Sequence, residues 1–234
     1  MKFIFDRIIY GKESAHDPLS ANENSYGRIE VKESCIGCGA CIGECLVGAI
    51  KLEDGKANVN SSSCIYCGRC IEACGQGALS ESHDYKLAEL EMAGDELRKK
   101  IYKKFSRSLV LRSVDTGSCN ACMLELSAMS NNYYSLTRYG IEFAASPRHA
   151  DGIVVTGPVA INMKEALIKA YEAMAEPRIV IAAGACAHDG GIFKDCYGVV
   201  NTLDEIIPVD LTVPGCPPSP QALIYGLLKL LDRI

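Results

Sequence analysis

The sequence of 234 residues predicts two units, a small cysteine-rich α+β unit followed by an α/β unit built on a mostly parallel sheet. Three observations carry this. Eight of the thirteen cysteines crowd into residues 35–74, while the other five are spread from 119 to 216. The crowded stretch repeats itself after 29 residues. Beyond residue 108, short apolar runs alternate with segments of helical period, the pattern of strands joined by helices that cover both faces of a sheet.

Composition bounds the function. Hydrophobic residues make up 48% and charged residues 23%, which fits a packed core and excludes a disordered chain. A net charge of −5 argues against a nucleic-acid partner. In residues 1–10 the apolar run is broken by Asp6 and Arg7, and no small-residue cleavage site follows. No stretch reaches the roughly 18 apolar residues of a membrane span, so a cytoplasmic location is expected. Cysteines at regular spacing in a reducing compartment are metal ligands, because disulfides do not persist there.

In chain order, residues 1–27 read as a tail whose apolar start docks on its own protein, on a partner or on a membrane surface. Residues 28–82 form the duplicated unit. Its first copy runs Cys35-x2-Cys38-x2-Cys41-x3-Cys45, and its second Cys64-x2-Cys67-x2-Cys70-x3-Cys74. Between them, residues 49–52 and 56–60 flank Asp54-Gly55, a hairpin signal. Residues 83–107 read as a helical linker. Leu87, Leu90, Leu97 and Ile101 recur at helical spacing, and Arg98, Lys99, Lys100, Lys103, Lys104 and Arg107 make it basic.

Residues 108–234 form the α/β unit. Strands are expected over 109–114, 141–145, 152–156, 178–182 and 207–213, and a helix over 119–129. Asn162 with Glu165 three residues on predicts a capping box opening a helix whose inward face is Leu167, Ala170, Tyr171 and Met174. Ser219 with Pro220 opens the last helix. Cys119, Cys186 and Cys216 each follow a strand, where the functional groups of such sheets gather.

The doubled run matches the two-cluster pattern of bacterial ferredoxins, in which the fourth cysteine of each run ligates the other cluster. That pairs Cys35, Cys38, Cys41 and Cys74 on one [4Fe-4S] cluster, and Cys64, Cys67, Cys70 and Cys45 on a second. Gly37, Gly39 and Gly68 let the backbone turn tightly around the metal. Leu46 and Gly75 replace the proline that usually follows the fourth cysteine. A zinc site also uses Cys-x2-Cys pairs, but it takes four ligands as two separated pairs and not three in one run. Cys119-x2-Cys122 alone fits zinc, a redox dithiol or a cluster; Cys186 and Cys216 supply two further ligands at strand ends. Cys196 is left over and reads as a small buried apolar residue. His149 and His188 read as structural or interface residues, so no catalytic residue is assigned.

Four motifs carry a resemblance over residues 99–234: Asp-Thr-Gly-Ser-Cys119-Asn-Ala-Cys122, Ser146-Pro-Arg-His-Ala-Asp-Gly-Ile-Val-Val-Thr-Gly157-Pro, Gly184-Ala-Cys186 with Gly190-Gly-Ile-Phe, and Ile207-Pro-Val-Asp-Leu-Thr-Val-Pro-Gly-Cys216-Pro-Pro. They resemble the small subunit of membrane-bound, energy-converting [NiFe] hydrogenases of the formate hydrogenlyase type, and more distantly the complex I subunit carrying the last cluster before quinone. The resemblance implies a flavodoxin-like fold and a third, proximal [4Fe-4S] cluster on Cys119, Cys122, Cys186 and Cys216. It also implies a separate large subunit with a nickel-iron site, further electron-transfer subunits or a soluble ferredoxin, and membrane-arm subunits holding the complex at the cytoplasmic face of the membrane. The complex I relative has adjacent cysteines at the first position, whereas two residues separate Cys119 from Cys122 here. Glu125 matches the family's acidic residue after the pair. Met123 and Ala121 stand where hydrogenase relatives commonly carry an acidic residue and glycine. The ferredoxin-like unit, usually a separate chain in this family, is here fused to the small-subunit-like one.

Overall fold

A computed structural model describes residues 17–20, 25, 27–91, 108–200 and 202–234. The N-terminal unit is small and made of short elements. Strands β1 (Ile29–Val31) and β4 (Leu79–Glu81) pair antiparallel, and β2 (Ile50–Glu53) and β3 (Lys56–Val59) form the expected hairpin. Asp54 and Gly55 have φ of 51° and 76°, the two left-handed residues that a tight turn matching the strand twist requires. Helices α1 (Ala40–Gly43) and α2 (Arg69–Glu72) occupy equivalent places in the two copies. Each starts after a left-handed glycine, Gly39 at φ 77° and Gly68 at φ 75°. The core here is Ile29, Ile50, Ala57 and Leu79 with Cys41 and Cys70 among them.

The second unit is organised around a six-stranded sheet in the order β5-β12-β10-β8-β6-β7. Its strands are β5 (Glu89–Leu90), β6 (Leu109–Asp115), β7 (Ile141–Phe143), β8 (Gly152–Thr156), β10 (Ile179–Ala183) and β12 (Leu211–Val213). All neighbours are parallel except β5, which pairs antiparallel with β12. Counted along the chain, the parallel strands stand in the order 2-1-3-4-5, the flavodoxin-like arrangement. Every residue of the central strands β8 and β10 is buried, which explains their unbroken apolar runs.

Alternate residues of those strands feed two separate cores. Val154, Ile179, Ile181 and Ala183 point to one face, where Leu126 of α3 (Ala121–Ala128) and Leu223, Ile224 and Leu227 of α6 (Pro220–Leu230) cover them. Ile153, Val155, Val180 and Ala182 point to the other, under Leu167 of α4 (Ile161–Glu172) and Ala187 of α5 (Ala185–Asp189). The Ser219 hydroxyl accepts from the Ala222 N–H and caps α6, as its sequence predicts.

Three expectations are corrected. Residues 82–91 are not helical: Glu89 and Leu90 extend as β5 because the edge of β12 offers them ladder hydrogen bonds; residues 92–107, with the basic cluster, lie outside the described residues. The capping box does not form. Ala160 belongs to β9 (Val159–Ala160), paired with β11 (Val199–Val200), and this ladder starts α4 at Ile161, leaving Asn162 inside its first turn. Glu165 instead meets Lys169 at 2.6 Å. The strand expected from residue 207 begins at Leu211, since Pro208 has no N–H for a ladder.

Of the tail, Asp17–Ser20 and Ser25 fasten to the α/β unit. The buried Gln221 amide donates to Pro18 O at 2.8 Å and accepts from the Ser25 hydroxyl at 2.9 Å. The apolar residues 3–9 lie outside the described residues. Among the described residues no helix is long and apolar enough to cross a membrane.

Candidate metal centres

Twelve of the thirteen cysteines gather into three sets of four. In the first, burial pushes the Cys41 thiol up, its own N–H pulls it down, and the sulfurs of Cys35, Cys38 and Cys74 push it up again. In the second, burial pushes Cys64 up to about 11 against the pull of the Tyr66 N–H, with Cys70, Cys45 and Cys67 adding to the rise. The fourth cysteine of each run thus lines one pocket with the other run's first three.

Short local geometry makes this possible. The Ala49 N–H reaches Cys45 Sγ at 3.2 Å and the Ala78 N–H reaches Cys74 Sγ at 3.3 Å, the same contact in each copy. At Gly37 (φ 65°) a side chain would lie 2.2 Å from Gly55 O, so the first cysteine run packs backbone to backbone against the hairpin turn. Each set lines an apolar pocket, one beside Cys35, Cys38, Cys41 and Cys74 and the other beside Cys45, Cys64, Cys67 and Cys70. Ile36, Leu52, Ala57 and Leu79 wall the first; Leu46, Val47, Ile50 and Val59 wall the second.

The third set is built by topology. Cys119 follows β6, Cys186 opens α5 after β10, and Cys216 follows β12. The Gly184 N–H donates to Val213 O at 2.9 Å and the Ala185 N–H to Gly215 O at 3.0 Å, which ties the ends of β10 and β12 together. Asp115 shapes the loop before Cys119, accepting from the N–H groups of Gly117 (2.9 Å) and Ser118 (2.7 Å) and from the Ser118 hydroxyl. Burial pushes its carboxyl up, but these donors win and hold it below the usual range. Cys122, 8% exposed, is pushed up to about 12 by burial and by the sulfurs of Cys186, Cys216 and Cys119; Cys186 is pushed up to about 11 by burial, Cys216 and Cys119. A Cβ on Gly184 would stand 2.9 Å from Cys122 Sγ, and one on Gly191 2.9 Å from Cys186 Sγ. Glycine at both places keeps the walls clear of sulfur, a role invisible in the spacing of the cysteines.

The donor chemistry fits iron-sulfur clusters better than a single ion. Among the described residues no three His, Cys, Asp or Glu side chains converge closely enough to hold one metal ion, although the sulfurs of each set sense one another. Zinc would need its donors about 2.3 Å away on one point. A cubane spreads four ligands over four iron atoms, so its sulfurs stand apart.

The second copy adjoins the third set. Ser62 and Ser63 are 1% and 7% exposed, whereas their counterparts Glu33 and Ser34 are exposed. The Ser62 hydroxyl lies 3.1 Å from the Glu89 carboxylate in β5, which pairs with the strand leading to Cys216. Cys67, in turn, is near enough to push Cys216 up, after burial and Cys119. The sequence holds no signal for this junction. Cys196 is exposed, which corrects its expected place as a buried apolar residue, because the turn after Gly191–Phe193 carries it on the surface; His149 is exposed as well. His188 Nδ1 stands 3.9 Å from Glu91, and burial pushes the Glu125 carboxyl up.

Residues 119–230 match the family of the NADH ubiquinone oxidoreductase 20 kDa subunit, and residues 28–75 match a 4Fe-4S dicluster domain. Formate hydrogenlyase subunit 7 of Escherichia coli is 40% identical over 138 residues, 59% of this chain and 54% of that protein. One subunit of the NADH-quinone oxidoreductase of Geobacter metallireducens is 50% identical over 113 residues, 48% of this chain and 66% of that one. The chain thus spans between half and two thirds of the length of these two relatives. In the solved structure of the membrane-bound sulfane sulfur reductase, an archaeal respiratory membrane complex, one chain is 33% identical with a TM-score of 0.51, covering 57% of this chain and 73% of that one. The chain belongs to the family of the 20 kDa subunit of NADH ubiquinone oxidoreductase, with a 4Fe-4S dicluster domain joined to its N-terminal side.

Proposed function

We propose that this chain is the electron-transfer subunit of a multisubunit [NiFe] hydrogenase complex, holding three [4Fe-4S] clusters between a redox partner and the nickel-iron site of a separate large subunit. The observation that carries this reading is the gathering of twelve cysteines into three sets of four, with Cys67 and Cys216 near each other where two sets adjoin.

Bound clusters would supply one-electron transfer, and the chain's own residues do the rest. The thiolates hold metal, the N–H groups of Ala49 and Ala78 stabilise charge on sulfur, and the apolar walls keep water out. The order first set, second set, third set follows from the burial of Ser62 and Ser63 against the α/β unit and the exposure of their counterparts. The relatives' names, a numbered hydrogenlyase subunit and a respiratory membrane complex, support membership of a multisubunit complex; a large subunit, further electron-transfer subunits or a soluble ferredoxin, membrane-arm subunits and a peripheral place at the cytoplasmic face of the membrane are part of the same proposal.

A second reading keeps the relay but ends it at quinone or at a nickel-free hydrogenase-related subunit. The 50% identity to a quinone-linked subunit and the likeness to a sulfane sulfur reductase chain favour it, and Met123 and Ala121 depart from the hydrogenase pattern. The spacing Cys119-x2-Cys122 favours the hydrogenase.

Elemental analysis of the anaerobically purified protein tests the cluster count: about twelve iron and twelve acid-labile sulfide per chain are expected. Mainly zinc, or about eight iron, refutes three clusters. A nickel assay and hydrogen evolution by the purified complex separate the two readings, since absence of both refutes the hydrogenase.

A further inference from the structure

The duplication supplies its own control. Shifting by 29 residues superposes Cys35-Ile-Gly-Cys38-Gly-Ala-Cys41-Ile-Gly-Glu-Cys45 on Cys64-Ile-Tyr-Cys67-Gly-Arg-Cys70-Ile-Glu-Ala-Cys74. Only Glu44, Arg69 and Glu72 are charged in the two runs. Arg69 and Glu44 meet across the copies, guanidinium to carboxylate, at 2.6 Å, between the start of α2 and the end of α1. Their counterparts under the repeat are Ala40 and Ala73. One end of the pseudosymmetric unit therefore carries an ion pair, and the other carries two methyl groups.

The pair is placed at one metal centre. Arg69 lies between Cys67 and Cys70, and Glu44 is next to Cys45; all three cysteines belong to the second set. Ala40 lies between Cys38 and Cys41, and Ala73 is next to Cys74, all of the first set. The Cys67 sulfur is close enough to act on the Arg69 guanidinium, after Glu44. Both ions are half exposed and Cys67 is exposed, so the pair contributes little to folding. A fixed charge beside a cluster has a different use. Net charge and solvent exposure set cluster potentials, and a cation stabilises the reduced, more negative state.

We propose that the Arg69–Glu44 pair makes the two duplicated metal centres electronically inequivalent: Arg69 raises the potential of the second cluster, and Glu44 positions the guanidinium and partly offsets its charge. The first cluster has no such pair. This rests on the ligand assignment proposed above. Electrons would then be drawn from the first cluster toward the one adjoining Cys216. Glu44 and Arg69 are positioning residues in this account, since neither is a ligand.

The test is an EPR-monitored redox titration of the intact chain, with the two signals assigned by Cys38→Ser and Cys67→Ser. Arg69→Gln is expected to lower the second midpoint and Glu44→Gln to raise it, each by up to about tenfold in the oxidised-to-reduced ratio at fixed poise, which is about 59 mV for one electron. Arg69→Lys keeps the charge and so most of the midpoint. Ala40→Arg is expected to raise the first midpoint and to leave the second nearly unchanged. Equal movement of both midpoints, no movement, or shifts of the same sign in Arg69→Gln and Glu44→Gln overturn the proposal. Iron content and the unsubstituted chain's spectrum read the ligand assignment separately, so a wrong cluster count is not mistaken for a failed ion pair.

Discussion

Gly184→Ala should empty the third metal centre while leaving the other two intact. Gly184 has φ 92° and ψ 161°, a region that only glycine occupies freely, so a methyl group there costs about 1–3 kcal/mol in backbone strain. The methyl carbon would also stand 2.9 Å from Cys122 Sγ, 3.2 Å from Gly215 O and 3.4 Å from the Pro218 ring. Two of these neighbours belong to the Cys216 loop, so relief of the crowding must move Cys122 or Cys216. The backbone term alone lowers the population with intact geometry by roughly five- to hundredfold. Iron and sulfide analysis reads the outcome directly, with about eight iron per chain expected in place of about twelve. EPR should show the two N-terminal signals unchanged. Gly43→Ala is the control, since its position has no neighbour within 4 Å and no left-handed φ, and it should keep all its iron. Full iron and an unaltered third signal in Gly184→Ala would refute the argument that this glycine keeps the wall clear of sulfur.

Asp210 offers a pH test. Burial pushes its carboxyl from 3.8 up to about 6, against the pull of the Val180 N–H at 2.8 Å. The folded state therefore holds the proton more tightly than the unfolded one, and stability present below about pH 4 is lost as pH rises to about 6, by about 3 kcal/mol. Asp210→Asn keeps an acceptor for Val180, so its thermal stability should exceed that of the unsubstituted chain at pH 7 and by less at pH 5; a gap independent of pH contradicts this. Ser219→Ala removes the cap of α6 and should cost about 1 kcal/mol, read from thermal or denaturant unfolding. Gln221→Leu leaves the carbonyls of Pro18 and Ser20 and the Ser25 hydroxyl without the Gln221 amide. Limited proteolysis should then cut within residues 17–25 faster than in the unsubstituted chain, and equal rates would show that this amide does not hold the segment.

What was legible in the sequence is what is encoded locally. The Asp54-Gly55 turn, the apolar runs of β8 and β10 and the Ser219-Pro220 start of α6 each need only their own neighbours to be read. The two cysteine runs are legible for the same reason, and the crossing of Cys45 and Cys74 follows from their spacing. What escaped depends on tertiary packing. A strand of two residues such as Glu89–Leu90 has no periodicity of its own and exists because β12 has a free edge. Asn162 and Glu165 have the right spacing for a capping box, but the pairing of Ala160 with Val199 fixes the chain first. The nearness of Cys67 to Cys216, and the ion pair that separates two nearly identical repeats, arise only once the units are packed.

The units should also differ in how they respond to loss of metal. The α/β unit closes two large cores under its helices, and none of the core residues facing β8 and β10 is a proposed ligand. The core cluster of the N-terminal unit is Ile29, Ile50, Ala57 and Leu79 with Cys41 and Cys70, so two of its six side chains are proposed ligands themselves. A unit this small rarely holds together on apolar burial alone, and metal binding becomes part of its folding free energy. Chelation of iron under anaerobic conditions should therefore unfold residues 28–81 while the strands from Leu109 to Val213 stay folded. Hydrogen exchange measured before and after chelation reads this by segment: protection of β1 to β4 should collapse, and that of β6, β8 and β10 should persist. Simultaneous loss in both units would mean that the contact of Ser62 with Glu89 and the packing around it couple them into one cooperative fold, and persistence in both would mean that the small core suffices without its metal.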